Sequence, residues 1–395
     1  MNSFKPVTSD LPIYLDYHAT TPIDPRVASV VMEYMLTEFG NASSIDHIYG
    51  DKADRAVKQA AKQVADLVGA VPREVIFTSC ATESINLVLQ GLPQKSPSSH
   101  KLKIALLPIE HKAVLDTCDA LTKKGIAETI FLKVDRQGKL DLEHLETTCS
   151  QGIDLICVMA ANNEIGTIYP VPEIGAIAKK YNIPFLCDAT QAVGKIPINF
   201  RDWGITYLTL SGHKMYAPKG IGALILRKGY HLQPLIYGGG QQKGIRAGTL
   251  NVAGIVGLGE ACHLRQQEMF EDEQVIAAKR DRLQSLLLEN IPELVINGDR
   301  LNRMAGNLHI SVPNIPNKAI IARIRDQLAI ATGAACSSGV ETDSHVLKAI
   351  NLPQSLIDGA LRISIGKFTT HAEIDRAAHI LVAAIIEGYP CYFND

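Results

Sequence analysis

Short apolar runs recur along the chain, separated by amphipathic stretches. Six have the length and composition of buried strands: Glu74–Ser79, Lys103–Ile109, Ile153–Ala160, Ile183–Cys187, Ile205–Leu210 and Ile221–Leu226. Helical spacing predicts helices between many of them, at Asp51–Val68, Lys112–Lys124 and Val171–Tyr181. Alternation of strands and helices predicts an α/β fold with a mostly parallel sheet covered on both faces. In such a sheet a ligand lies beyond the carboxyl ends of the strands. The residues after each strand are therefore the ones to read for chemistry.

The first strand runs into Thr78-Ser79-Cys80-Ala81-Thr82-Glu83-Ser84. Hydroxyl and small residues opening a helix suit either an ordinary N-cap or an anion site made of backbone N–H groups. The next strand leads to Glu110-His111, and the third to Ala161-Asn162-Asn163-Glu164-Ile165-Gly166. The fourth ends in Asp188, with Gln191 a turn later, and the fifth in Ser211-Gly212-His213-Lys214. A carboxylate beyond an apolar strand needs a cationic partner. Lys214 reads either as a surface cation or as an amine held in a cleft, ready to form an imine. Asp188 and Lys214 are 26 residues apart, room for one helix and one strand of a neighbouring βαβ unit. Together these residues supply a phosphate cup, an aromatic partner, an acid and a lysine, the parts of a pyridoxal-phosphate site.

Composition narrows the rest. The chain has 395 residues, with 46% hydrophobic and 20% charged, ample for more than one buried core. Lys plus Arg (39) nearly balances Asp plus Glu (41), which argues against direct binding of nucleic acid or a membrane surface. No apolar run is long enough to span a bilayer, and no secretory signal is expected at Met1–Leu11, so the reading is a cytoplasmic protein. The histidines lack metal-ligand spacing, so no metal is expected. Eight cysteines are scattered without a CxxC pair, which suits buried thiols in a reducing compartment. Cys336 differs from the others. It lies in Ala331-Thr332-Gly333-Ala334-Ala335-Cys336-Ser337-Ser338-Gly339, where small residues give no packing anchor.

From Tyr14 to about Ile374 the sequence resembles the cysteine desulfurases of the bacterial housekeeping and nitrogen-fixation group. The marks are Tyr14–Pro22, Phe39-Gly40-Asn41, Ala81-Thr82-Glu83-Ser84, Glu110-His111-Lys112 and Asn162–Gly166. They continue with Asp188-Ala189-Thr190-Gln191, Ser211–Lys214, Gly238-Gly239-Gly240, Arg246-Ala247-Gly248-Thr249 and Arg362–Gly366. Mild departures are Cys80 for the usual Gly, Ala42 for Pro and Ala247 for Ser.

The resemblance implies a fold-type I pyridoxal-phosphate enzyme that works as a homodimer. It implies a large domain over 24–265 with a mostly parallel seven-stranded sheet. A smaller α+β domain would comprise 1–23 and 266–395 and carry the Cys336 loop. Lys214 would hold the cofactor, Asp188 would pair with its ring nitrogen and His111 would stack on the ring. Asn163 and Gln191 would bond near its phenolic oxygen. Ala81, Thr82, Ser211 and His213 would hold its phosphate, with Thr249 reaching over from the partner subunit. Arg362 would clamp the substrate carboxylate, with Asn41 nearby. The implied reaction converts L-cysteine to L-alanine and leaves a persulfide on Cys336 for transfer to an acceptor protein. His111 would serve as a proton donor. Selenocysteine lyase or aminotransferase activity on the same fold is the alternative, and a catalytically idle partner-binding protein is a third reading. An aminotransferase has no use for Cys336. The chain ends at Asp395 soon after a helix expected around Ala372–Glu387, without the longer tail of the housekeeping enzymes. The acceptor then belongs either to iron–sulfur assembly or to a dedicated pathway such as DNA phosphorothioation.

Overall fold

The computed structural model describes residues 11–92, 101–333 and 343–388. The chain opens with β1 (Ile13–Tyr14), α1 (Pro25–Leu36), α2 (Ile48–Val68), β2 (Val75–Thr78) and α3 (Ala81–Gly91). It continues through β3 (Leu102–Leu106), α4 (Lys112–Lys123), β4 (Ala127–Phe131), α5 (Leu142–Ser150), β5 (Leu155–Cys157) and α6 (Val171–Lys180). Next come β6 (Phe185–Asp188), β7 (Tyr207–Ser211), β8 (Gly222–Leu226), α7 (Val252–Asn290), β9 (Val295–Ile296) and β10 (Asn307–Ser311). The last elements are α8 (Asn317–Ile324), β11 (Leu328–Ala329), α9 (His345–Ala349), α10 (Gln354–Asp358), β12 (Ala360–Ser364) and α11 (His371–Ile386). Among the described residues no helix is long and apolar enough to cross a membrane.

The chain divides into two compact units. The larger comprises 20–163 and 167–271. It contains a seven-stranded sheet in the order β2-β8-β7-β6-β5-β3-β4. Only the pairs that β8 makes with β2 and β7 are antiparallel; the other four are parallel. Strands β5 to β8 are buried along their whole length, which explains their unbroken apolar runs. All six predicted strands are present, with their bounds shifted by up to three residues.

Two expectations need correction. Strand β4 (Ala-Glu-Thr-Ile-Phe) was not foreseen from the apolar pattern. It is an edge strand paired only with β3, and its exposed Glu128 and Phe131 break that pattern. The crossover from β6 to β7 carries no α-helix, although 26 residues left room for one. Residues 189–206 run as turns, with Gly194 and Gly204 at positive φ and Pro197 between them. The two strands are still parallel neighbours, with Asp188 paired to Thr209.

The smaller unit comprises residues through Ala19, the three residues Glu164–Gly166, and the chain from Asp272 on. It has an antiparallel sheet β12-β10-β9 and a parallel pair β1-β11. Its core gathers Leu15, Leu308, Ile310, Leu361 and Ile363 with Leu283, Leu287, Ile374 and Leu381 of α7 and α11. The charged stretch Glu268–Arg282 lies within α7, a helix of 39 residues. Helix α11 starts at a capping box in which Thr370 and Glu373 satisfy each other's backbone donors.

Candidate active site

In the larger unit the sequence-selected residues stand at strand ends. Cys80 is the N-cap of α3, with no side-chain cap hydrogen bond. First-turn N–H groups of a helix have no intrahelical acceptor. Ala81 gives its N–H to Ser211 Oγ at 2.8 Å, which ties α3 to the end of β7. Close packing makes this junction possible. A Cβ on Gly222 of β8 would stand 2.9 Å from the Cys80 Cα and 2.6 Å from the Leu210 oxygen. Glu83 supports the turn by accepting from Ser79 N–H at 2.7 Å and from Arg246 Nε at 2.8 Å.

His213 and Lys214 follow β7 in a short 3-10 turn. His213 Nδ1 lies 3.2 Å from Thr20 Oγ1, and its carbonyl accepts from the Thr21 N–H and hydroxyl. Burial, reinforced by Lys214, Lys219 and Lys195, lowers the His213 pKa to about 4. The ring is therefore neutral at pH 7 within a cluster of ammonium groups, a setting that favours an anion.

Asp188 closes β6 at 6% exposure. Its Oδ1 accepts from the Thr190 N–H at 3.0 Å, the Thr190 hydroxyl at 2.5 Å and the Thr209 hydroxyl at 3.2 Å. All three bonds fall on one oxygen, which leaves Oδ2 able to accept from a further donor. Among the described residues no cationic side chain pairs with this carboxylate. Gln191 is buried and its Oε1 accepts from Lys195 Nζ at 3.2 Å.

His111 is the N-cap of α4. Its Nδ1 accepts from Ala113 N–H at 3.1 Å, so the neutral ring carries its proton on Nε2. Asn163 is half-buried in the turn after β5. Thr82, Thr249 and Asn41 are exposed, and Asn41 Oδ1 accepts from Ser43 N–H.

In the smaller unit Arg362 lies in β12 and is 2% exposed, with Nη2 donating to Asp16 Oδ1 at 2.9 Å. Glu164 and His309 are both fully buried, and His309 Nε2 lies 3.8 Å from Glu164 Oε1. Burial raises the Glu164 pKa to about 7, against the pull of the Ser344 hydroxyl and the Arg362 cation. Burial lowers that of His309 to about 3, helped by repulsion from Arg362.

The cysteines separate clearly. Cys118, Cys149, Cys157, Cys187 and Cys262 are buried. Burial raises Cys118 to about 12 and Cys149 to about 11, and lifts Cys157 and Cys187 well above the usual thiol range. These groups stay protonated and inert. Cys80 is half-buried. Cys336 lies outside the described residues.

Thr190 and Glu110 stand in the quoted motifs without a role, and Thr209 in none. Thr190 had a readable signal, since a Thr two residues after an Asp suits an Asx-type turn. Thr209 had none, because a Thr inside a buried strand reads as a strand former.

These residues fit pyridoxal phosphate. A buried carboxylate with one oxygen open and no protein cation suits a protonated ring nitrogen. The uncapped start of α3, with the His213–Lys214 turn held to it through Ser211, suits a phosphate.

Residues 13–377 match the class-V aminotransferase family. A cysteine desulfurase, IscS, of Rickettsia typhi is 43% identical over 377 residues, covering 95% of this chain and 91% of that one. A solved NifS-like protein superposes with a TM-score of 0.87 at 34% identity, covering 95% of this chain and all of that one. A structure of SspA in complex with cysteine gives a TM-score of 0.77 at 34% identity, covering 90% of this chain and 99% of that one.

Proposed function

The chain belongs to the class-V aminotransferase family and is a cysteine desulfurase, and on that premise we propose that it holds pyridoxal 5'-phosphate through Lys214 and moves the sulfur of L-cysteine onto Cys336. One observation carries the residue assignment. Strands β6 and β7 are parallel neighbours in register, so Asp188 and the Ser211–Lys214 turn emerge side by side. The Ala81–Ser211 bond then joins the start of α3 to the same turn.

When bound, the cofactor supplies an electron sink that weakens the α-hydrogen and β-sulfur bonds of the amino acid. Asp188 Oδ2 keeps the ring nitrogen protonated. Ala81, Thr82, Ser211 and His213 hold the phosphate. Asn163 and Gln191 hold the phenolic oxygen, and His111 covers the ring. Arg362 binds the substrate carboxylate with Asn41 beside it, and Lys214 moves the α-proton. The Cys336 thiolate forms a bond to the substrate sulfur as the carbon–sulfur bond breaks. The carbon left behind takes a proton, which His111 Nε2 is built to give, and departs as L-alanine. Overall, one thiol and one L-cysteine give one persulfide and one L-alanine, so no outside oxidant is consumed.

The sulfur then passes to an acceptor protein, in iron–sulfur assembly or a dedicated pathway such as phosphorothioation. Near-neutral charge supports a protein acceptor over nucleic acid. A homodimer is part of the same reading, with Thr249 serving the partner's phosphate. Exposed Met32, Met35, Leu36, Phe39, Ile45 and Tyr49, within or just after α1 and near the start of α2, support that pairing. The site of action we propose is the cytoplasm.

A purified protein with a visible cofactor band that is lost in Lys214→Ala, together with alanine formation from L-cysteine, is the expected result. An unchanged band in Lys214→Ala would overturn the lysine's role.

A further inference from the structure

Glu110 has no solvent exposure and stands directly before His111. Its Oε1 accepts the Met159 N–H at 2.8 Å, from just beyond β5. A second link runs beside it: Asn162 Nδ2 donates to the Ile109 carbonyl at 3.0 Å. The β5 exit is joined in turn to β6, since the Ala160 N–H donates to the Asp188 carbonyl at 2.9 Å. Three strand exits are thus cross-linked in one layer, and they carry His111, Asn163 and Asp188. The Glu110 carboxyl is the one side-chain acid in these links.

Its charge state follows from its surroundings. Burial raises its pKa well above the carboxylate range, the Met159 N–H opposes this, and the negative charge of Asp188 adds to it. Among the described residues, the thiols Cys118, Cys157 and Cys187 and the phenol Tyr169 also feel it, all buried and neutral. Of two neighbouring acids, the one with fewer donors and less water keeps the proton. Asp188 takes three donors on one oxygen and retains 6% exposure.

We propose that Glu110 is a positioning residue of the desulfurase reaction, whose carboxyl fixes the exits of β3 and β5 against each other and so sets His111 relative to Asp188. Burial favours its neutral form, so it adds no second buried charge beside Asp188. This inference rests on the roles given above to His111 and Asp188.

The test uses the holoenzyme with pyridoxal phosphate and reads three quantities: the pH titration of the visible band, kcat and KM for L-cysteine. Glu110→Asp shortens the side chain by one methylene and withdraws the acceptor from Met159. We expect kcat to fall about tenfold or more, the cost of one buried unpaired donor, with KM changed less than about threefold. Glu110→Gln keeps the length and an acceptor without charge. We expect it to recover most of the lost kcat and to leave the titration of the band in place. A band titration moved by about one pH unit or more in Glu110→Gln would show that Glu110 is charged and overturn the proposal. Wild-type kcat in Glu110→Asp would overturn it as well. If Glu110→Asp fails to fold, Glu110→Ala grown at low temperature replaces it with the same expected split. Asp188→Asn, run in parallel, separates the two readings. A band unaltered in Asp188→Asn would instead remove the assignment of Asp188.

Discussion

Arg362 Nη2 donates to Asp16 Oδ1 at 2.9 Å, and the guanidinium in this pair is 2% exposed. A cation this deep needs a standing partner, and Asp16 is the acid that bonds to it. Arg362→Gln should raise KM for L-cysteine about tenfold or more through loss of a charged hydrogen bond to the carboxylate, with a smaller effect on kcat. Asp16→Ala should lower the unfolding free energy by about 2 kcal/mol or more, because it removes the carboxylate 2.9 Å from a buried cation. Steady-state kinetics and urea unfolding measure the two effects. An unchanged KM in Arg362→Gln would remove it from substrate binding.

The hydroxyls on Asp188 make a second prediction. Thr209→Val removes the 3.2 Å donor from Oδ1 and places an isosteric methyl in a fully buried strand. The carboxylate then loses part of its stabilisation, by about 1.5 kcal/mol for one hydrogen bond to a charged acceptor. Cofactor retention on dialysis should weaken severalfold, and Asp188→Ala should lose the cofactor far more completely. Absorbance after gel filtration gives both values.

Fully buried His309 and Glu164 and half-buried His213 each contribute to the pH dependence of stability. His213 and His309 have folded pKa values lowered to about 4 and about 3 from 6.5. Only the unfolded state takes their protons between those limits, so their contribution is full above pH 6.5 and is lost as pH falls. Glu164 runs the other way, raised from 4.5 to about 7. Its contribution is full below pH 4.5 and is lost as pH rises to 7. His309→Gln should therefore flatten the acid limb of a Tm-against-pH curve. Glu164→Gln should flatten the stretch from pH 4.5 to 7. Parallel curves for variant and wild type would contradict these assignments.

Much of this was legible before any coordinates. The buried strands β5 to β8 announce themselves because both faces are covered and most positions are apolar. The proposed site could be named from the sequence because its candidates, His111, Asp188 and Lys214, follow the ends of those runs. Edge strand β4 was not, since one exposed side and a Glu at its second position hide its period. Nor was the helix-free crossover after Asp188, because the residue count alone cannot tell a helix from a series of turns. Glu110 was visible only as a neighbour of His111. Its contact with Met159 is 49 residues away in sequence, and no local pattern encodes it. The crowding of Gly222 against Cys80 was likewise out of reach, since it depends on β8 returning antiparallel to β2.

Of eight cysteines, Cys336 is the one proposed to receive the sulfur. The five buried thiols are held protonated by burial, which leaves Cys80 as the competing candidate among the described residues. The direct measurement is a single turnover of the full chain, loaded with pyridoxal phosphate, with L-cysteine and no added reductant. Alanine is quantified, and the cysteine peptides are weighed for one extra sulfur. The account predicts alanine and Cys336 persulfide in equal amounts, and neither at the wild-type rate in Cys336→Ala. Wild-type alanine formation in Cys336→Ala, or the extra sulfur on Cys80, would contradict it.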